Sequence, residues 1–208
     1  MRISDDRYSR DRARLDVAMH FIRHEARTHT IRQWTGLTDD RIRKLYRSYL
    51  LEGGCRVARH RGKSPQQAAF FMRTARLRQE AGALAGLCCL VGLLDARRGH
   101  APAHLAPGIG GAAALCQAYD FYLAMVRAPA IGFEHAVLLV SALTGGSELC
   151  LGNCQGCGAL LVVDTCSLRP PRCALCTVAP GGRAGPGAAL CAPLTRPGLP
   201  PPGPVNRP

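Results

Sequence analysis

Cys154-Gln155-Gly156-Cys157 and Cys173-Ala174-Leu175-Cys176, separated by fifteen residues, carry the most specific chemistry in the chain. A Cys-x-x-Cys pair on a tight turn brings two thiolates within reach of one tetrahedral ion, and a second pair on an opposed turn completes the four sulfur ligands of a closed zinc site. Cys154, Cys157, Cys173 and Cys176 are therefore the expected ligands of one structural Zn2+, with no coordination position left for catalysis. Gly158, directly after Cys157, favours the first knuckle because its backbone can take positive φ and let amides point at the sulfurs. Cys150 and Cys166 lie close enough in sequence to substitute for a ligand. Cys55, Cys88, Cys89, Cys116 and Cys191 read as small core hydrophobes or tail residues. Eleven cysteines is an odd number. With no export signal in the charged first sixteen residues, the reading is of reduced thiols in a soluble, cytoplasmic protein of bacterial type.

Other chemistries fail on particular residues. A thioredoxin-like centre needs a Cys-x-x-Cys opening a helix after a βα unit, a pattern neither pair follows. A zinc deaminase needs His-x-Glu and then Pro-Cys-x-x-Cys; no His-x-Glu occurs, and Pro171 stands one residue too far from Cys173. Arg61-Gly62-Lys63-Ser64 would end a phosphate loop whose first glycine falls on Val57. Gly108-Ile109-Gly110-Gly111 lacks a preceding strand and a complete fingerprint. No Gly-x-Ser-x-Gly or His-Glu-x-x-His is present. His20, His24 and His29 are read as surface or core residues. No catalytic residue is assigned, and the protein is not expected to be an enzyme.

Charge supplies the second signal. The 208 residues hold 27 Lys+Arg against 14 Asp+Glu, a formal net charge of +13. Residues 1–80 contain 19 basic and 9 acidic side chains, so most of the excess sits at one end. Such a field favours an acidic partner, nucleic acid or an anionic membrane surface. Arg41, Arg43, Lys44, Arg47, Arg56, Arg59, Arg61 and Lys63 form a basic run interrupted by a single acid, Glu52. They are the expected DNA contacts, reaching phosphates through charge and guanine edges through bidentate Arg.

These residues need elements to position them. Leu15, Ala18, Met19, Ile22 and Ala26 recur at helical spacing, giving a helix over about 11–28. A short helix over 29–34, a turn at Thr35-Gly36-Leu37 and a third helix capped by Thr38 and stopped at Gly53-Gly54 form a helix-turn-helix-like segment. Its packing positions are Ile31, Leu37, Ile42 and Leu45, and Trp34 anchors the turn. Ser64-Pro65-Gln66-Gln67 reads as a capping box that starts the next helix, through Phe70, Phe71 and Ala75. The apolar run Ala81–Leu94 is too short to span a bilayer and reads as a buried core helix, so no membrane contact is expected. A loop covers 99–111, and helices follow over about 112–127 and 133–143. Strand-like sequence is confined to Leu160–Val163. Residues 177–208 hold nine Pro and six Gly without apolar periodicity, which reads as a disordered tail. The expected fold is mainly α, a helical bundle. Its parts are a basic helix-turn-helix-like region (1–63), a helical core and partner-binding region (64–147), a small four-cysteine zinc-binding subdomain (148–178) and the Pro/Gly-rich tail (179–208).

The run from Gly36 to Arg47 (GLTDDRIRKLYR), Ser64-Pro65 leading to Phe70-Phe71-Met72, and the cysteine quartet together resemble the flagellar transcriptional regulator FlhC family over about residues 10–178. The resemblance implies a cytoplasmic transcriptional activator subunit that binds promoter DNA as a hetero-oligomer with FlhD, usually four FlhD with two FlhC. It also implies recruitment of RNA polymerase carrying the housekeeping sigma factor to flagellar operons, hence control of flagellum biogenesis and motility. The family's zinc ligands fall on Cys154, Cys157, Cys173 and Cys176. The alternative class is a zinc-ribbon adaptor that binds protein or RNA without sequence-specific DNA recognition.

Overall fold

The computed structural model describes residues 2–53, 60, 62–96 and 108–178. Within them the chain is mainly helical: α1 (Arg2–Arg23), α2 (Thr28–Thr35), α3 (Asp39–Gly53), a 3-10 turn (Ala68–Met72), α4 (Ala75–Leu90), α5 (Ile109–Met125) and α6 (Phe133–Gly145). A two-stranded hairpin, β1 (Leu149–Asn153) and β2 (Leu160–Asp164), and the short α7 (Ala174–Val178) follow. The tail expected over 179–208 lies outside the described residues, as do Cys55 and Cys191.

One core runs through all the longer helices. Val17, Ala18, Phe21 and Ile22 of α1, Ile31 and Trp34 of α2, and Ile42 and Tyr46 of α3 are buried together with Leu84, Leu115, Tyr122, Phe133 and Leu139. Phe21 packs edge-on against Phe133 at 4.9 Å between centroids, and Trp34 lies beyond it at 6.1 Å. His24 stacks on Phe133, meets Tyr119 edge-on and places Nε2 3.1 Å from Asp120. It is a core-lining histidine, and His20 and His29 are exposed.

Two carboxylates, the buried Glu80 and the half-buried Glu134, fasten the helices. Glu80 of α4 receives the Tyr122 hydroxyl of α5, the Arg76 Nε at 2.6 Å and the Ala130 amide at 2.8 Å. Burial alone would raise its pKa, but these three donors outweigh burial and hold the carboxyl below the usual range. Glu134, in the first turn of α6, accepts the Arg27 amide at 2.8 Å and the Thr30 hydroxyl at 3.0 Å. It thereby closes the start of α2 from far along the chain, where Arg27 offers no side-chain cap of its own.

The structure departs from the sequence reading at several element ends. Helix α1 begins at Arg2, not near Asp11, and stops at Arg23, not Thr28. Glu25 adopts φ 59°, and the amides of Glu25 and Ala26 return to the carbonyls of Ile22 and Phe21, a Schellman-type stop without glycine. The Ser64 capping box starts no helix. Residues 64–67 are non-helical, Phe70 and Phe71 lie on the 3-10 turn, and α4 starts instead at Thr74, whose Oγ1 accepts the Leu77 amide at 3.1 Å. The split sends Phe71 into the core and lays Phe70 on His135, 4.1 Å between ring centroids. Helix α5 starts at Ile109, within the expected loop; Gly110 and Gly111 occupy its first turn, where propensity matters least.

β1 was not expected at all. Gly152 and Asn153 are poor strand formers, yet the pairing Leu149↔Asp164 through Asn153↔Leu160 satisfies their backbone. Gly152 eases the packing there, since a Cβ would sit 3.0 Å from Val163 Cγ2 and press on that side chain. The hairpin lies on α4, where Gly82 lets the β2 backbone approach: a Cβ there would meet the Leu160 carbonyl at 3.3 Å. Among the described residues no helix is long and apolar enough to cross a membrane.

Candidate metal centre

The turn between β1 and β2 forms the first cysteine knuckle. Cys154 directly follows β1, and its amide donates to the Ala159 carbonyl at 2.8 Å, continuing the ladder into the turn. Its own carbonyl accepts the Gly158 amide at 2.8 Å, with Gly158 at φ 75°. Gly158 thus takes the positive φ its position suggested, but its amide closes the turn. Other amides are aimed at sulfur, among them those of Gly156, 3.4 Å from Cys154 Sγ, and of Cys173 of the second knuckle, 3.2 Å from the same atom.

The second knuckle is Cys173 followed by α7. Cys173 sits just before this helix, its carbonyl accepting the Thr177 amide at 3.0 Å and its Sγ the Cys176 amide at 3.4 Å. This pair therefore does open a helix, but one of five residues that follows a hairpin, not a βα unit. The Gln155 amide donates to the Pro171 carbonyl at 3.0 Å and ties the two knuckles together.

The sulfurs of Cys154, Cys157, Cys173 and Cys176 all lie within 4.8 Å of one another, and those of Cys157 and Cys173 are 3.6 Å apart. Four sulfurs each about 2.3 Å from a central ion would stand about 3.8 Å apart, so the array has the dimensions of a tetrahedral thiolate site. The four cysteines could hold one metal ion. Cys154 is buried, Cys173 and Cys176 are half-buried, and Cys157 is exposed. Cys150 lies on β1 opposite Val163 and Cys166 in the exposed turn after β2; neither belongs to the group of four.

Electrostatics fit the same use. Burial would raise the Cys154 pKa, but the amides of Cys173, Cys157 and Gly156 outweigh it and bring the thiol down to about 6. Cys176 is pushed up to about 12, chiefly by the sulfurs of Cys173 and Cys157. Without a metal, Cys154 is thus the sulfur that gives up its proton more readily than Cys157 or Cys176, both of which are shifted upward; a divalent cation would offset the mutual repulsion and favour four thiolates.

Sequence reasoning missed Gly156. A Cβ at this position would stand 2.9 Å from Cys176 Sγ and 3.1 Å from its Cβ, so only glycine lets the knuckles close to ligand distance. The signal was present as the second x of the first Cys-x-x-Cys, but nothing in the spacing identifies which residue faces the opposite pair. Cys88 and Cys116 are buried in the helical core, and burial pushes both thiols up to about 12. They are packing groups, as expected.

On the basic segment, Arg41, Arg43, Lys44 and Arg47 are all exposed on α3, whereas Ile42 and Tyr46 are buried. Gly36 between α2 and α3 takes φ 70° and donates its amide to the Arg32 carbonyl. Arg43 pairs with Asp40 at 3.0 Å. Lys63 is exposed beside the start of α2. Arg56, Arg59 and Arg61 lie outside the described residues. No protein-family model matches the chain, and no curated protein matches it.

Proposed function

We propose that the protein is a zinc-stabilised, DNA-binding transcriptional activator subunit of the FlhC type, acting with FlhD at flagellar promoters, where it recruits RNA polymerase carrying the housekeeping sigma factor. The observation that carries this reading is the division of α3: its apolar side is buried under α1 and α2, and its outer side offers Arg41, Arg43, Lys44 and Arg47 without a covering element among the described residues. Four cations on successive turns suit a phosphate track and leave bidentate Arg groups for guanine edges. Zinc is the proposed ion because an all-thiolate tetrahedral set is the usual structural zinc donor set. Its role is to hold the hairpin and α7 together, and no reaction is assigned to it.

The test is fluorescence anisotropy on a flagellar promoter duplex and a random duplex, across salt, with and without FlhD. Tighter promoter binding that requires FlhD, with a salt slope reduced by about 2 in an Arg43→Ala/Arg47→Ala double variant, is the expected result. Equal affinity for both duplexes under all conditions would overturn it. The adaptor reading has one observation in its favour: Leu168 and Leu175, beside the cysteine centre, are 100% and 77% exposed. Unspecific DNA binding, combined with loss of a protein partner in a Leu168→Ser/Leu175→Ser variant, would select it.

A further inference from the structure

An open cleft of about 710 Å³ separates the start of α2 from the segment leading to the 3-10 turn. Arg27, His29, His60, Lys63, Ser64 and Gln66 are among the residues that line it, so its polar surface is rich in hydrogen-bond donors and no carboxylate belongs to the lining. The nearby carboxylates are already engaged. Glu25 pairs with His60 Nε2 at 2.9 Å, and Glu134 takes the Arg27 amide and the Thr30 hydroxyl. The positive end of α2 is therefore answered from within the protein and is not what the cleft offers. Arg27 is likewise committed, its Nη1 donating to the Gly62 carbonyl at 2.5 Å, which fixes one wall.

What remains is Lys63 and His29. Both are exposed, and among the described residues neither has a hydrogen-bond or ion-pair partner. The Ser64 hydroxyl and the Gln66 amide add neutral donors on the same wall. This is a set of separate donors around one charged lysine. It suits an anion with three or more acceptor oxygens better than a carboxylate, which has two. The volume falls within the roughly 300–1,000 Å³ of small-molecule sites, more than a bare phosphate fills.

We propose that this cleft binds a phosphate ester, with Lys63 as the charge and His29 and Ser64 as hydrogen-bond donors. The same chemistry comes from two sources, a free mononucleotide or a phosphate of a nucleic-acid backbone. Only the second rests on the DNA-binding reading above.

The experiment follows the imidazole C–H NMR signals of His29 and His60 in the full-length protein during titration with inorganic phosphate, adenosine monophosphate and a DNA duplex in turn. Phosphate is expected to shift both signals. Lys63→Ala should weaken that response about tenfold, the loss of one charge-assisted contact. Mononucleotide binding tighter than phosphate identifies the free-ligand source, and tighter binding by the duplex alone identifies the backbone. Signals that stay still with all three probes, or that shift undiminished in Lys63→Ala, overturn the site. A duplex that binds through α3 while none of the three probes moves His29 or His60 overturns the site and spares the DNA reading. Phosphate shifts that persist in an Arg43→Ala/Arg47→Ala protein that no longer binds duplex keep the site without that reading.

Discussion

Gly156 and Glu80 show how much single positions decide. Gly156→Ala places a methyl 2.9 Å from Cys176 Sγ. Relief requires moving a knuckle whose place is set by the hairpin, so the variant should bind metal far more weakly while its helical circular dichroism stays near wild type. Cobalt titration, read at the thiolate charge-transfer band, measures this directly; an undiminished band would refute the role of the glycine. Glu80 answers to pH. Its folded pKa lies below the unfolded value of about 4.3, so its contribution is complete above that pH and is lost as pH falls through the lower, folded value. Wild-type melting temperature should therefore drop steeply on acidification below about pH 4. Glu80→Gln should start lower and respond less. At neutral pH Glu80→Ala should cost about 2–3 kcal/mol, because it orphans the Tyr122 hydroxyl and the Ala130 amide. Neither residue advertises itself in the sequence. A glutamate at one position of an apolar helix looks like any surface acid until α5 and the Ala130 backbone surround it.

At the scale of elements, what was legible followed local signals and what was not depended on partners. Gly36, the three-to-four spacing of Ile42 and Tyr46, and Gly145-Gly146 at the end of α6 mark ends and faces through their own backbone and pattern, and the structure has them there, with Gly146 as the left-handed cap. β1 and the start of α4 are settled elsewhere: β1 by pairing with β2, and α4 by the demand that Phe71 enter the core. The quartet was legible because ligand spacing is itself local. Its attachment to α4 was not, because Gly82 acts through a strand almost eighty residues later. Replacing Gly82 with leucine should force β2 off α4, and hydrogen exchange should show Leu160–Asp164 amides losing protection. Gly36→Ala has open space, so it should cost only the left-handed backbone penalty of about 1 kcal/mol, measured by denaturant unfolding.

For the whole molecule, the cysteine centre and the helical core share a boundary at α4, so removing a metal should not stay local. Chelation is expected to lower the thermal midpoint of the full chain as well as release the hairpin, with the loss shrinking as pH falls, since protons compete for the thiolates and leave the metal less stability to add. A chelator-insensitive midpoint would show that the two parts are energetically separate. The basic side of α3 is likewise carried by the same body, because α1, α2 and α3 contribute to the common core.

The hydrogen bonds from Arg27 and Thr30 to Glu134 also bear on how the chain is made. They span 107 and 104 residues, so they are contacts of high sequence separation. During synthesis the Arg27 amide and the Thr30 hydroxyl lack this partner until Glu134 has left the ribosome. A chain stopped before Glu134 would carry the basic α3 behind an α2 whose entry has lost both of these contacts.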